Sequence, residues 1–120
     1  MNMIFKTAIR SQPGMAVIDL FGEINAFADQ EIQAAYAEAE SLAAVVVLNF
    51  TQVTYVNSTG IALIVGLLSK ARKSQRRIAV YGLSEHYTEI FQITRLTDFL
   101  DIFPDEASVL HSLASGKTDA

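Results

Sequence analysis

Residues 43–63 read AAVVVLNFTQVTYVNSTGIAL, and this stretch indicates how the chain folds. It opens with Ala43–Phe50, a continuous apolar run rich in β-branched residues, which is typical of a strand that is buried on both faces of a sheet. The more polar Thr51–Asn57 predicts a crossover out of that sheet. From Ser58 to about Ser74 the apolar spacing predicts a helix, so the stretch indicates a strand–crossover–helix unit of an α/β domain.

The segments before this stretch predict a hairpin and a helix. Ile4–Arg10 and Met15–Phe21 are separated by a Pro-Gly turn signal, which favours two antiparallel strands. Gly22 is expected to end the second strand, and Glu23–Asn25 to form a loop. Apolar residues then recur at helical spacing from about Ala26 to Leu42, which predicts the first helix.

The segments after this stretch predict alternating strands and helices. The expected elements are a strand over Ile78–Tyr81, a helix over Ser84–Ile93 with Ser84 as its N-cap, a strand over Phe99–Phe103 and a helix over Pro104–Ser112. The order β-β-α-β-α-β-α-β-α predicts a single α/β domain, with a mixed four- to five-stranded sheet and about four helices packed on it. We expect this domain to span residues 1–120, with its core at about 4–113 and a frayed tail at 114–120.

The composition predicts an acidic globular protein and excludes several classes of function. The 120 residues are 51% hydrophobic and carry a net charge of −4, which disfavours direct binding of nucleic acid. The absence of cysteine excludes disulfide and thiolate chemistry, and no apolar run approaches the ~18 residues of a membrane span. No export-signal pattern follows Met1, so we expect a soluble, cytoplasmic protein that does not insert into a membrane.

The chain lacks the sequence patterns of common catalytic and cofactor-binding sites. It contains no Gly-x-Ser-x-Gly elbow, no phosphate-binding Gly-x-x-x-x-Gly-Lys loop and no dinucleotide-binding Gly-x-Gly-x-x-Gly turn. His86 and His111 lie on unrelated segments, so no metal site is expected. The basic stretch Lys70–Arg77 has the composition of a nucleic-acid or lipid site, but cations at a helix end more simply complement the helix dipole. We therefore expect no enzyme activity and no cofactor.

The motif Asn57-Ser58-Thr59-Gly60 is where we expect chemistry. Two hydroxyl residues stand at the start of an apolar helix, where unpaired backbone N–H groups and the helix dipole would stabilise a phosphate. Phosphorylation there would add about −1.5 to −2 charges to the surface. The simpler interpretation is that Asn57 or Ser58 only caps the helix, and the spacing by itself favours it. Gly60 is expected to let another backbone approach and to leave the helix start uncovered.

Three segments of the chain together resemble the signature of STAS domains, the anti-sigma-factor antagonists. The family pattern has an apolar strand, a short crossover and then Asp-Ser-Ser/Thr-Gly-Leu/Ile, which is similar to Val45–Ile61 here. Leu20–Asn25 resembles the family's Leu-x-Gly-Glu-Leu/Ile-Asp loop, and Ile78–Leu83 resembles its fourth strand. Order and spacing match from about residue 5 to residue 113, which is nearly the whole chain.

The resemblance implies a protein that acts by binding and not by catalysis. In STAS antagonists the domain binds an anti-sigma factor serine kinase, which phosphorylates the serine of the motif, and a phosphatase reverses this. By position, the resemblance makes Ser58 the phosphoacceptor, with Thr59 as the second choice. The partner-binding residues that it implies are Glu23, Ile24, Asn25, Asn57, Ser58, Thr59 and Gly60.

Two positions depart from the family pattern. Asn25 and Asn57 are amides where the family has carboxylates, so the shape of the site is retained while up to two negative charges beside the hydroxyl are removed. An acidic residue at these positions would help to orient the hydroxyl or a magnesium ion. The alternative to an antagonist switched off at Ser58 is therefore a STAS scaffold or accessory subunit that is not phosphorylated, in a signalling or transporter complex.

Overall fold

The computed structural model of the chain describes residues 5–115. The strands are β1 (Lys6–Gln12), β2 (Met15–Ile24), β3 (Val45–Val56), β4 (Arg77–Tyr81) and β5 (Asp101–Phe103), and the α-helices are α1 (Asp29–Leu42), α2 (Ser58–Lys73), α3 (Glu85–Ile93) and α4 (Glu106–Ala114). Short 3₁₀ turns precede α1 at Ala26–Ala28 and β5 at Leu96–Asp98. The tail predicted at 114–120 lies outside the described residues from Gly116 onward, whereas Ala114 is the last residue of α4.

The strands form one sheet in the order β1-β2-β3-β4-β5, which confirms the predicted fold class. β1 is antiparallel to β2 and the other neighbouring strands are parallel, so the sheet is mixed. One face of the sheet packs against α1, α2 and α3, and the other packs against α4. Among residues 5–115, the helices are too short or too polar to span a bilayer.

The core has two parts because neighbouring residues of a strand point to opposite faces. Ile18 and Leu48 are fully buried in the larger part, together with Ile64 of α2. Val17 and Val47, each one position earlier in its strand, belong to the smaller part beneath α4. This explains why β3 opens with an unbroken apolar run, Val45–Leu48, in the sequence.

β2 and β3 are both longer than predicted, and their extension builds the candidate site. Gly22 does not end β2: it adopts a positive φ of 100°, and the strand continues to Ile24. β3 likewise continues past Phe50 to Val56 instead of leaving the sheet as a crossover. The pairing register shifts twice along this extension, each time by one extra residue in β3, as at β-bulges. The predicted ends of both strands are therefore wrong, because bulged pairing accommodates the glycine and the polar residues.

The boundaries of β5 and α4 also differ from the prediction. Phe99 lies before β5 rather than in it, and its side chain is 54% exposed. α4 begins two residues later than Pro104, because Asp105 is the N-cap and its carboxylate accepts a hydrogen bond from the Ser108 N–H at 2.8 Å. The sequence pattern identified both elements but not the capping residue that determines where α4 starts.

Asp19 is a buried carboxylate at the centre of a polar cluster beneath α4. It accepts hydrogen bonds from Arg10 at 2.6 and 2.9 Å and from Asn49 at 2.8 Å. The same guanidinium donates to Glu106 of α4 at 2.8 and 3.1 Å, and Glu106 also accepts from the Tyr81 hydroxyl at 2.7 Å. These hydrogen bonds, above all those from Arg10, lower the pKa of Asp19 and lower the pKa of Glu106 to about 2. The cluster therefore ties α4 to the sheet through a shared cation.

Replacing Glu106 with Gln should remove a stabilising contribution that depends on pH. Because the pKa of Glu106 is lowered to about 2 in the folded protein, its charge stabilises the fold fully above about pH 5, and this contribution is lost as the pH falls toward 2. We expect Glu106→Gln to lower the free energy of unfolding by about 2 kcal/mol at pH 7, and by less than half of that at pH 3. Urea denaturation at both pH values measures the difference, with the exposed Glu89→Gln as control. A difference that does not change with pH would contradict the assignment.

Candidate functional site

The candidate site is the start of α2, which Asn57 caps. The Asn57 Oδ1 accepts a hydrogen bond from the Gly60 N–H at 2.8 Å, and the Asn57 carbonyl accepts one from the Ile61 N–H at 2.9 Å. The Asn57 N–H donates to the carbonyl oxygen of Ile24 at 3.2 Å. Asn57 is thus held between the end of β2 and the first turn of α2, and it is the N-cap in place of Ser58.

Gly60 brings the first turn of α2 against the end of β2. It is buried, and a Cβ atom built on it would lie 2.2 Å from the carbonyl oxygen of Ile24 and 2.8 Å from Cγ1 of Val56. The backbone that this glycine admits is therefore that of the chain's own β2. Gly60 itself is buried against Ile24, whereas Ser58 and Thr59 leave the outer side of the helix start exposed. This close packing fixes the direction in which Ser58 and Thr59 face.

Asn25 caps the short 3₁₀ turn that leads into α1. Its Oδ1 accepts a hydrogen bond from the Phe27 N–H at 2.9 Å, and its carbonyl accepts one from the Ala28 N–H at 2.9 Å. The Phe27 side chain is 94% exposed, although helical spacing grouped it with residues that are buried in α1. The prediction of one continuous α-helix from Ala26 is wrong here, because the tighter 3₁₀ turn places side chains at different angles.

The extension of β2 and β3 places the end of β2 beside the start of α2. In the parallel pairing Glu23 lies opposite Tyr55, and Ile24 lies opposite Val56. Ile24 is fully buried, whereas Tyr55 is 52% exposed. Strand pairing thus joins two segments that are more than thirty residues apart in the sequence.

Tyr87 of α3 supports the site and was missed by sequence reasoning. Its hydroxyl accepts a hydrogen bond from the Val56 N–H at 2.9 Å and donates to the Val56 carbonyl at 3.3 Å. The pairing of β4 with β3 ends at Asn49, so the tyrosine hydroxyl satisfies backbone groups that no β4 residue reaches. The helical periodicity of α3 does not reveal this role, which depends on where β3 ends.

The predicted site residues lie together, at two depths. Ser58 and Thr59 are exposed, Glu23, Asn25 and Asn57 are half-buried, and Ile24 and Gly60 are buried beneath them. We call the five residues that reach solvent the site surface. Their arrangement follows from the cap at Asn57 and from the close contact at Gly60.

The site surface presents hydroxyl groups at the positive end of a helix dipole. Within residues 5–115, the side chains of Ser58 and Thr59 form no hydrogen bond to another residue, and the first turn of α2 carries no acidic residue. An anion on either hydroxyl would be stabilised by the dipole and by backbone N–H groups of the first turn. No group of three or more His, Cys, Asp and Glu side chains among these residues is placed to hold a metal ion. The geometry leaves both hydroxyl groups accessible from solvent at the N-terminus of α2.

Comparison with known proteins identifies the family of this chain. The model of the STAS domain matches residues 6–109. The chain is similar to the anti-sigma-B factor antagonist of Listeria monocytogenes, with 32% identity over 88 residues that cover 71% of this chain and 77% of that protein.

Two solved structures of SpoIIAA show the same fold. The anti-sigma factor antagonist SpoIIAA in its unphosphorylated form has a TM-score of 0.69 and 19% identity, over 94% of this chain and 99% of that one. The Bacillus cell fate determinant SpoIIAA in its phosphorylated form has a TM-score of 0.67 and 21% identity, over 90% of this chain and 98% of that one. With the match to the family model over most of its length, the chain belongs to the STAS domain family.

Proposed function

We propose that the chain is an anti-sigma factor antagonist, that it binds an anti-sigma serine kinase, and that phosphorylation of Ser58 ends this binding. The observation that carries the proposal is the position of Ser58, exposed on the first turn of a helix that Asn57 and Gly60 hold in place. The name of the Listeria relative and the phosphorylated form of SpoIIAA support it. The protein then regulates transcription indirectly, by occupying the kinase that otherwise holds a sigma factor, and has no enzymatic role.

In the unmodified state, the kinase contacts the site surface and the aromatic side chains beside it. Phe27 and Tyr55 are exposed on the two segments that flank the site surface, and aromatic side chains of this kind are frequent anchors of protein interfaces. Ile24 and Gly60 contribute from beneath, by holding the first turn of α2 against β2. A rigid framework of this kind keeps the entropic cost of binding low.

Phosphorylation of Ser58 makes the binding of the kinase at this interface unfavourable. The kinase transfers the γ-phosphoryl group of ATP to the Ser58 Oγ, which loses its proton, and ADP leaves. The phosphoserine carries about −1.5 to −2 charges at pH 7. In the free protein, water and the α2 dipole stabilise this charge, whereas a tightly packed partner surface strips its water away. The complex therefore dissociates, and a phosphatase that hydrolyses the ester restores the binding state.

Asn25 and Asn57 make the capping hydrogen bonds that carboxylates would make at these positions, but they carry no negative charge. Each amide oxygen accepts the capping hydrogen bond of its turn, at 2.9 Å for Asn25 and 2.8 Å for Asn57, as a carboxylate would. The kinase must then supply the groups that orient the Ser58 hydroxyl and hold magnesium. Thr59 presents a second exposed hydroxyl in the same turn and is the alternative acceptor.

The test is the intact mass of the protein from its native cells during growth and stress, with mapping of any modified residue. We expect a phosphate on Ser58 whose occupancy changes with the condition. A phosphate on Thr59 would retain the switch and change its acceptor. A chain that stays unmodified in every condition would contradict the switch and favour a STAS scaffold that binds its partners constitutively.

A further inference from the structure

An apolar groove lies between the exposed side of α2 and the segment that links α3 to β5. Its volume is about 400 Å³, and its apolar lining comes from Val65, Leu68, Leu96 and Phe99. Leu68 and Leu96 are buried and form the floor, whereas Val65 and Phe99 are 44% and 54% exposed and form the walls. Large apolar side chains that border one open groove mark a contact site more strongly than the same side chains scattered singly.

The groove has a basic rim. The Arg72 guanidinium carbon lies 5.5 Å from the centroid of the Phe99 ring, and Arg95 stands on the opposite wall. Arg95 forms an ion pair with Asp98 at 3.1 Å. Arg72 and the neighbouring Lys73 form no ion pair within residues 5–115. In a chain whose net charge is −4, this rim is locally positive and therefore complements a negatively charged partner surface.

A stripe of exposed residues along α2 connects Ser58 with the groove. Ser58, Ala62, Val65, Ser69 and Arg72 follow one another at spacings of four and three residues, and all five are exposed. Residues at this spacing share one face of a helix. The stripe covers about 21 Å along α2, at a rise of 1.5 Å per residue. A partner seated on Ser58 and aligned with α2 thus reaches the groove.

We propose that this groove is a second contact site for the anti-sigma kinase, and that it takes a segment of the kinase in which apolar side chains lie next to carboxylates. The inference rests on the proposed function, because the kinase is the partner that sits at Ser58. The apolar side chains occupy the space between Val65 and Phe99, and the carboxylates pair with Arg72 and Arg95. Because both contacts belong to one partner, the contact at Ser58 raises the effective concentration of the segment at the groove.

The test is calorimetric titration of the host's own anti-sigma kinase into the full chain and into variants of the groove. Val65→Ser and Arg72→Glu should each weaken binding and raise the dissociation constant about tenfold. The matched controls are Leu42→Ser, an exposed apolar residue at the end of α1, and Lys6→Glu, an exposed cation on β1; both should change it less than about twofold. Arg72→Glu should also make the dissociation constant less sensitive to salt, since it removes an attractive charge.

Thermal unfolding of each variant checks that the fold is intact, and Arg72→Gln repeats the charge test with a neutral side chain. If Val65→Ser and Arg72→Glu bind as tightly as the unmodified chain while Ser58→Asp binds weakly, the groove proposal is overturned and the proposed function stands. If the kinase does not bind the unmodified chain, or binds Ser58→Asp equally well, the proposed function fails and the groove proposal falls with it.

Discussion

A Ser58→Asp variant is expected to bind the anti-sigma kinase at least about tenfold more weakly than the unmodified chain. The carboxylate sits on the exposed first turn of α2, where the helix dipole stabilises it in the free protein and the partner desolvates it in the complex. The fold itself should tolerate the change, because Asn57 and not Ser58 caps the helix and an acidic residue suits the first turn. Calorimetric titration of the kinase into each protein measures the effect.

The matched controls separate charge from the loss of the hydroxyl. Ser58→Ala should bind as tightly as the unmodified chain and should not be phosphorylated there. Ala107→Asp places the same charge in the first turn of α4, on the opposite face of the sheet, and should leave binding unchanged. Equal affinity for Ser58→Asp and Ala107→Asp would remove the basis for a phosphate-controlled interface at the start of α2.

Gly60→Ala is expected to lower the free energy of unfolding by about 3 kcal/mol. The added Cβ would lie 2.2 Å from the Ile24 carbonyl oxygen and 2.8 Å from Cγ1 of Val56. A backbone oxygen within a sheet cannot rotate away as a flexible side chain can, so α2 must move away from β2. That movement stretches the hydrogen bond from the Asn57 N–H to the same carbonyl, which is already 3.2 Å long.

Gly66 provides the matched control in the same helix. A Cβ built at Gly66 meets no heavy atom within 4 Å, so Gly66→Ala should be neutral or stabilise the protein by up to about 1 kcal/mol, through better helix propensity. Urea denaturation of both variants measures the difference. If the two substitutions change stability equally, the contact between Gly60 and Ile24 does not hold the site as described.

Local sequence signals predicted those parts of the fold that depend on neighbouring residues. The β-branched run from Ala43 to Phe50 lies mostly within the central strand, and Ser84 caps α3 as expected, with its hydroxyl accepting a hydrogen bond from the Tyr87 N–H at 3.2 Å. The cap rests on a hydrogen bond between residues three positions apart, whereas the apolar run reflects the burial of β3 on both faces of the sheet, which its composition alone indicates. The apolar spacing after Ser58 gave the bounds of α2 within one residue.

Tertiary contacts decided the parts that the sequence did not predict. β2 and β3 extend beyond Gly22 and Phe50 only because each supports the other through bulged pairing, which a single segment does not reveal. Tyr87 becomes part of the site framework because its hydroxyl meets the backbone at the end of β3. Phe27 matches an apolar helical position in sequence but points to solvent, because Asn25 caps a 3₁₀ turn before the α-helix begins.

The hydrogen bonds between Arg10 and Glu106 have a consequence for how the chain is made. They join residues 96 positions apart, so α4 takes its place only after β1 to β5 have been synthesised. Until then, Met15, Val17 and Val47 lie open on one face of a sheet that is otherwise able to assemble. Chains in which α4 has not docked therefore expose an apolar surface that promotes aggregation. The docking of α4 buries this surface.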